Sequence, residues 1–370
     1  MLSPKITVSP STHKIISELC EVGWLYKRVN DWLQKNSREQ HLSQVVQSLC
    51  FAIQAELAEY YRLIAVLEQQ RNAHQPDDSA NYLNLRKLYL WIQEPLERLK
   101  WLAIICDSVK GLKGGAICSA IHSYILTGSP QTKHFITRII REVSCPILRM
   151  IKEWMLEGEI NDPYQEFFIE VNPTVSDDKL WTEKYKLNYI MIPAYFTNEL
   201  AKKILQTGKS VNFIRRCCQL QGWTLHMSTQ TLFDLDNGLD INRLQQWVNE
   251  ACEKTNSELL QIIFKKYNFE QHCLYLKKYL LLGQGDLMEY LMDLMNDVLE
   301  KPAKQIYKQQ LRSILDTAIR SSNAQYHPQE FISRLDVKLL EGSQGGDRGW
   351  DVFLLEYQVD DIAPLQTIFT

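Results

Sequence analysis

Apolar positions recur at steps of three and four along most of this chain. Val46, Leu49, Ile53, Leu57, Tyr60, Ile64 and Leu67 mark one face of a long amphipathic helix. The polar run His74-Gln-Pro-Asp-Asp-Ser predicts the loop that ends it. Residues 83–92 start another helix. Pro95 is expected to open the next, with Leu99, Leu102, Ile105, Cys106 and Val109 on one side. Gly114-Gly115 punctuates the chain. A short helix is expected after it, carrying Ile117, Ile121, Tyr124 and Ile125, with Gly128 at its C-terminal cap. Ser129-Pro130 reads as an N-cap followed by proline at the first helical position. The helix it opens carries Phe135, Ile139 and Val143. Pro146 is expected to kink or split it before Ile147, Ile151, Trp154 and Met155, and Gly158 to stop it.

A turn and a short extended run at Phe167-Phe168-Ile169 follow. Helices resume near Leu180, after Asn198 as a cap, from Lys209 to Leu220, and across 241–264. Beyond Arg334 the period changes. Residues 335–340 and 352–359 alternate around a glycine-rich stretch at 341–349, which predicts a small β-hairpin with a flexible tip. No fixed repeat period is present. The fold class read from these patterns is mainly α with a small β-hairpin near the C-terminus. The last residues, Ile368-Phe369-Thr370, read as part of an apolar extended run that stops short, so the chain looks cut.

At 370 residues the chain has room for two domains or one long helical array. Its 45% apolar and 23% charged residues are those of an ordinary globular protein. A formal net charge of -3 carries no footprint for nucleic acid or an acidic membrane. No stretch is long and apolar enough to predict a membrane span, and the first residues lack an apolar signal core. The 9 cysteines form no Cys-x-x-Cys pair, and most are expected to be small buried residues.

Two segments imitate phosphate loops. Gly283-Gln-Gly285 lacks the third glycine of a dinucleotide fingerprint, because position 288 is Met288, and its flanks read as helix rather than strand. Gly283, Gly285 and Asp286 are therefore expected to form a structural corner, a glycine supplying the turn and Asp286 capping the helix after it. Thr207-Gly208-Lys209-Ser210 lacks the first P-loop glycine, since position 203 is Lys203, so Gly208 is expected to be a helix C-cap. His122 lies on an apolar helix and reads as a core residue. His272 and Cys273 are adjacent, which is no dyad on a helix. Catalytic, cofactor and metal sites are thus all expected to be absent. Trp24, Trp32, Trp91, Trp101, Trp154 and Trp181 fall beside apolar stripes, most of them as core and a few as interface anchors.

Nine short segments in order carry a resemblance. They are residues 5–12; Glu18-Leu-Cys-Glu-Val-Gly-Trp-Leu-Tyr; 56–63; Gly158-Glu-Ile-Asn-Asp-Pro-Tyr-Gln-Glu-Phe-Phe; 177–185; 192–196; Leu205-Gln-Thr-Gly-Lys-Ser-Val-Asn-Phe; Tyr279-Leu-Leu-Leu-Gly-Gln-Gly-Asp; and Arg334-Leu-Asp-Val-Lys-Leu-Leu-Glu. With these the chain resembles the γ-tubulin complex component family, its component 3 branch above the others, over nearly its whole length.

The resemblance implies an elongated array of stacked helical bundles. An N-terminal domain would span 1–268 and mediate lateral association, and 269–370 would begin a C-terminal γ-tubulin-binding domain that is incomplete here. It further implies a non-enzymatic scaffold in microtubule nucleation, without a cofactor. The expected partners are γ-tubulin and sister components, a component 2 type foremost. The expected location is the cytoplasm and cytoskeleton, at a microtubule organising centre such as a centrosome or spindle pole. Trp24, Tyr26, Tyr60 and Tyr61 are the candidate lateral contacts. The rival readings are a helical adaptor for another partner and a nucleotide-dependent enzyme.

Overall fold

The computed structural model describes residues 9–38, 43–72, 83–176, 179–220, 222–225, 241–340, 348–359 and 362–369. The predicted loop at 74–79, the hairpin tip at 341–347 and the resemblance segments' residues 5–8 and 177–178 lie outside them. The chain divides into two compact units. One is drawn from Met1–Ser176, Leu180–Asn212 and Trp223–Thr255, the other from Asp177–Lys179, Phe213–Gly222 and Asn256–Thr370.

The first unit is a helical bundle. Its helices are α1 (Pro10–Arg38), α2 (Gln44–Asn72), α3 (Leu85–Ser108), α4 (Gly115–Ser123), α5 (Pro130–Glu157), α6 (Asn198–Asn212) and the start of α7 (Ile241–Gln261). Helix α1 packs on α3 and α2, α2 on α5, and α5 on α4 and α6. The heptad-like stripes meet in one core. Val22, Leu25, Val29 and Leu33 of α1 join Val45, Leu49, Ile53 and Leu57 of α2 and the buried face of α5 from Phe135 to Met155. Strands β1 (Ile169–Val171) and β2 (Tyr185–Leu187) pair antiparallel, with Glu170 opposite Lys186.

Several local expectations hold. Ser129 accepts from the Thr132 amide at 3.5 Å with Pro130 at the helix start, and Gly158 closes α5 in the left-handed region at φ 68°. Gly114, at φ 50°, turns the chain against the Glu166 carbonyl, where a Cβ would sit 2.2 Å away. Others are corrected. Pro95 lies inside a continuous α3, which begins instead at Asn84, whose side chain accepts from the Lys87 amide at 2.8 Å. Pro146 does not split its helix, since α5 runs through it from Pro130 to Glu157. Each proline forfeits one helical hydrogen bond, and the buried residues on both sides of it keep the helix whole. The cap of α6 is Thr197, whose Oγ1 accepts from the Leu200 amide at 3.2 Å, one residue before the expected Asn198. Near Leu180 there is a single π-helical turn, Leu180–Lys184, that runs into β2. The segment expected as a helix from Lys209 continues α6 and then widens into a second π turn, Phe213–Cys217.

The second unit contains α8 (Phe269–Tyr279), α9 (Gly285–Leu299), α10 (Lys308–Ser321), the short α11 (Gln329–Ile332) and α12 (Gly349–Val352), and α13 (Ala363–Phe369). Its expected hairpin is present. Strands β3 (Leu335–Leu339) and β4 (Phe353–Tyr357) pair antiparallel from Leu335 opposite Tyr357 to Leu339 opposite Phe353. Helix α9 packs on α10 and α10 on β3, over Leu287, Leu291, Met295, Leu311, Leu315 and Val337. The expected extended run at 368–370 is corrected: residues up to Phe369 belong to α13, with Leu365 fully buried. The architecture is mainly α with two small antiparallel sheets.

Candidate functional site

The four candidate aromatics separate into two places. Trp24 and Tyr26 are two positions apart on α1, so they leave the helix on opposite sides. Tyr26 meets Tyr60 and Tyr61 of α2, with ring centroids 5.9 Å away in both cases, and its hydroxyl shares a 2.8 Å hydrogen bond with that of Tyr61. That bond pushes the Tyr61 phenol up from its ordinary value, while burial does the same for Tyr60. Tyr61 remains 48% exposed, so the cluster forms a rigid aromatic patch rather than sealed core. Trp24, 58% exposed, stacks instead under the Arg28 guanidinium at 5.3 Å, and Arg28 reaches Asp107 of α3 at 2.5 Å. Of the six stripe tryptophans only Trp154 is fully buried; Trp24, Trp91 and Trp181 are exposed, which corrects the expectation that most are core.

Neither loop-like segment is a phosphate cradle. Gly208 is interior to α6, which corrects its reading as a C-cap. It is a glycine because Trp154 lies on it: a Cβ there would be 1.9 Å from the indole Cε2. The indole Nε1 donates to the Ile204 carbonyl at 2.9 Å. Lys209 is buried and donates to the Trp181 carbonyl at 2.7 Å, and burial lowers its pKa. Asn212 donates to the Gly158 carbonyl at 2.7 Å and so ties α6 to the end of α5.

In the second unit the left-handed residue of the corner is Leu282, at φ 57°, and neither Gly283 nor Gly285 has positive φ. The amides of Gly283 and Gln284 donate to the carbonyls of Lys277 and Lys278 at 3.2 and 2.9 Å. Gly283 is needed for that close approach, because a Cβ would be 2.9 Å from the Lys277 oxygen. Asp286 is not the N-cap, a position held by Gln284. Its carboxylate accepts from the Asn323 amide at 2.8 Å and from the Gln284 side chain at 2.8 Å. The Asn323 bond is the main reason its pKa is lowered. The corner thus joins the start of α9 to the turn after α10.

The segment from Gly158 to Phe168 is structural as well. Asp162 accepts from the Phe167 amide at 2.7 Å. Glu166 is fully buried and caps α2, taking hydrogen bonds from the Ser43 hydroxyl and from the Gln44 and Val45 amides, the latter two at 2.6 and 3.3 Å. A junction that the sequence reading missed lies at Glu56. Its side chain is 8% exposed, and it is paired with Arg138 of α5 and, at 3.8 Å, with Arg98 of α3. The signal was present: Glu56 follows Leu49 and Ile53 in the apolar stripe of α2, in register with the buried face.

Five of the nine cysteines, Cys50, Cys106, Cys118, Cys217 and Cys218, are buried. Burial pushes the thiols of Cys106, Cys118 and Cys218 to about 12, which removes the thiolate needed for chemistry. His122 is half-buried against the Tyr195 ring at 5.6 Å. His272 is buried with its Nδ1 2.8 Å from the Tyr357 hydroxyl, and that contact is to β4, not to the neighbouring Cys273. Among the described residues no group of three or more His, Cys, Asp or Glu is placed to hold a metal ion, and no helix is long and apolar enough to cross a membrane.

Comparison with known proteins agrees with this architecture. Residues 2–266 match the gamma tubulin complex component N-terminal family and residues 270–370 match the C-terminal one. The chain is similar to Gamma-tubulin complex component 3 of Homo sapiens, 40% identical over 379 residues, and to that of Arabidopsis thaliana, 39% identical over 381 residues. Each alignment takes in 99% of this chain but only 41% and 45% of the relative. Spindle pole body component alp6 of Schizosaccharomyces pombe is 34% identical over 336 residues, with 89% of this chain and 40% of the relative covered. The chain therefore spans less than half the length of these relatives, and it belongs to the γ-tubulin complex component family.

Proposed function

We propose that this chain is a non-enzymatic scaffold subunit of a γ-tubulin complex that contributes to microtubule nucleation at an organising centre, a centrosome or spindle pole, in the cytoplasm. Residues 1–268 would pack side by side with a sister component, and 269–370 would begin the domain that holds γ-tubulin. The observation that carries this reading is the match to both family domains over nearly the whole chain. It is supported by what the shared segments do. Gly158, Asp162, Glu166 and Asn212 spend their polar groups on caps and helix ties, and Gly208 packs on Trp154, as expected of a structural scaffold. The Tyr26, Tyr60 and Tyr61 patch, with Trp24 on the other side of α1, supplies rigid aromatic surface of the kind interfaces use.

The test is co-purification with a component 2-type protein and, separately, with γ-tubulin. A complex with the sister component at micromolar concentration, weakened about tenfold or more by Tyr61→Ala together with Trp24→Ala, is expected. No complex at that concentration sinks lateral association as this chain's function.

A further inference from the structure

Helix α9 contains no Lys, Arg or His. Successive residues lie about 100° apart around a helix. Leu287, Leu291, Met295 and Val298 therefore face the core, and Glu289, Asp293, Asp297 and the C-cap Glu300 form one exposed ridge opposite them. This ridge breaks two electrostatic rules. Glu289, Asp293 and Asp297 repel one another at four-residue spacing. Asp297 and Glu300 stand at the end of the helix where its dipole favours cations. Nothing on the chain compensates: none of the four carboxylates is hydrogen-bonded or ion-paired among the described residues. Lys301 follows only after the helix has ended, and Lys308 of the neighbouring α10 pairs with Asp336 at 2.9 Å. Beside the ridge, Tyr290 and Leu294 lie one turn apart and are 46% and 42% exposed.

We propose that this face of α9 docks a basic amphipathic helix of a partner protein. The partner's apolar stripe lies on Tyr290 and Leu294, and its Lys or Arg side chains reach the carboxylate ridge. Charge complementarity names the occupant. Four uncompensated carboxylates in one line repel an acidic partner, and a neutral one leaves their mutual repulsion unrelieved. From Glu289 to Glu300 the ridge runs about 16 Å, which suits a helix lying along it better than a single bound cation. Carboxylates spaced a turn apart on a convex surface do not converge on one point. Among the described residues no group of three or more His, Cys, Asp or Glu is placed to hold a metal ion. The half-exposed Tyr290 and Leu294 give the partner helix its apolar seat.

The test uses the full chain and a fluorescent helical peptide of about 18 Leu and Lys residues in amphipathic order. A Leu/Glu peptide of the same pattern and an oligolysine of the same length are the controls. Fluorescence anisotropy should show saturable binding of the Leu/Lys peptide, weakened by added salt, and none of the Leu/Glu peptide. Glu289→Lys with Asp293→Lys should raise the dissociation constant about tenfold or more, and so should Tyr290→Ala with Leu294→Ala. The two charge-reversed residues are exposed, and relief of their repulsion should hold or raise the melting temperature, so lost binding is not lost folding. Affinity unchanged in either double variant, or oligolysine bound as tightly as the amphipathic peptide, overturns the proposal. Concentration-dependent dimerisation abolished by the same substitutions also overturns it, because the occupant is then a second copy of this chain. The probe needs no other subunit, so its failure leaves the proposed scaffold role standing.

Discussion

The indole of Trp154 lies against the backbone of Gly208 so closely that a single methyl group on that glycine would come 1.9 Å from its Cε2. A segment with the look of a phosphate loop is thereby a helix–helix contact, and its glycine is fixed by what packs on it. Gly208→Ala is expected to destabilise the chain by about 3 kcal/mol, at the upper end of overpacking effects, because Trp154 is fully enclosed and cannot swing away. Chemical denaturation checks this. An unchanged midpoint would mean that α5 and α6 part easily.

The buried Lys209 spends its ammonium on the Trp181 carbonyl. Magnesium-bound ATP or GTP is accordingly expected to leave the thermal midpoint unchanged, and Lys209→Met to lower it without altering that indifference. A saturable nucleotide-dependent rise lost in Lys209→Met would restore the enzyme reading.

Leu282 occupies the left-handed region at φ 57° and is 63% exposed, so its side chain contributes little packing to offset the strain. Leu282→Gly should stabilise the chain by about 1 kcal/mol, as the Cβ clash with the following carbonyl is removed. Leu282→Ala keeps the Cβ and should be close to neutral. Equal effects of the two substitutions would trace the change to the lost leucine side chain instead.

Glu166 holds the start of α2 across more than a hundred residues of sequence, through the Ser43 hydroxyl and the Gln44 amide at 2.6 Å. Glu166→Ala leaves buried donors without an acceptor and is expected to cost about 3 kcal/mol. Hydrogen exchange should show the loss first in the opening turn of α2. Uniform loss over the bundle would argue against a local capping role.

His327 has Nδ1 2.8 Å from the Tyr279 hydroxyl and Nε2 3.4 Å from the Lys278 ammonium. Burial, then the Lys278 charge, lowers its pKa below the ordinary 6.5, against a weaker opposing pull from Asp286. The folded state therefore resists a proton that the unfolded state accepts. Stability should be full above about pH 6.5 and fall as pH drops from there to the lowered folded value, below which this loss is complete. His327→Gln should flatten that window in a pH series of denaturation midpoints; an unchanged slope would assign it to another group.

Much of this protein was legible in its sequence because helical periodicity is local. The stripe of Leu49, Ile53 and Leu57, the Ser129-Pro130 start and the Gly158 stop each follow from side chains within a turn or two of one another, and the nine ordered segments were enough to indicate the family. Tertiary packing decided the rest. Pro95 and Pro146 stay inside helices because buried neighbours on both sides outweigh one missing hydrogen bond. Gly208 serves Trp154 from another helix. Leu282, not a nearby glycine, takes the left-handed turn because Gly283 is needed where the backbone crosses Lys277. Glu56 lies in register with the buried stripe of α2, but the arginines that pair with it come from α3 and α5. Each of these outcomes depends on a partner far away in the chain, and no local rule carries that information.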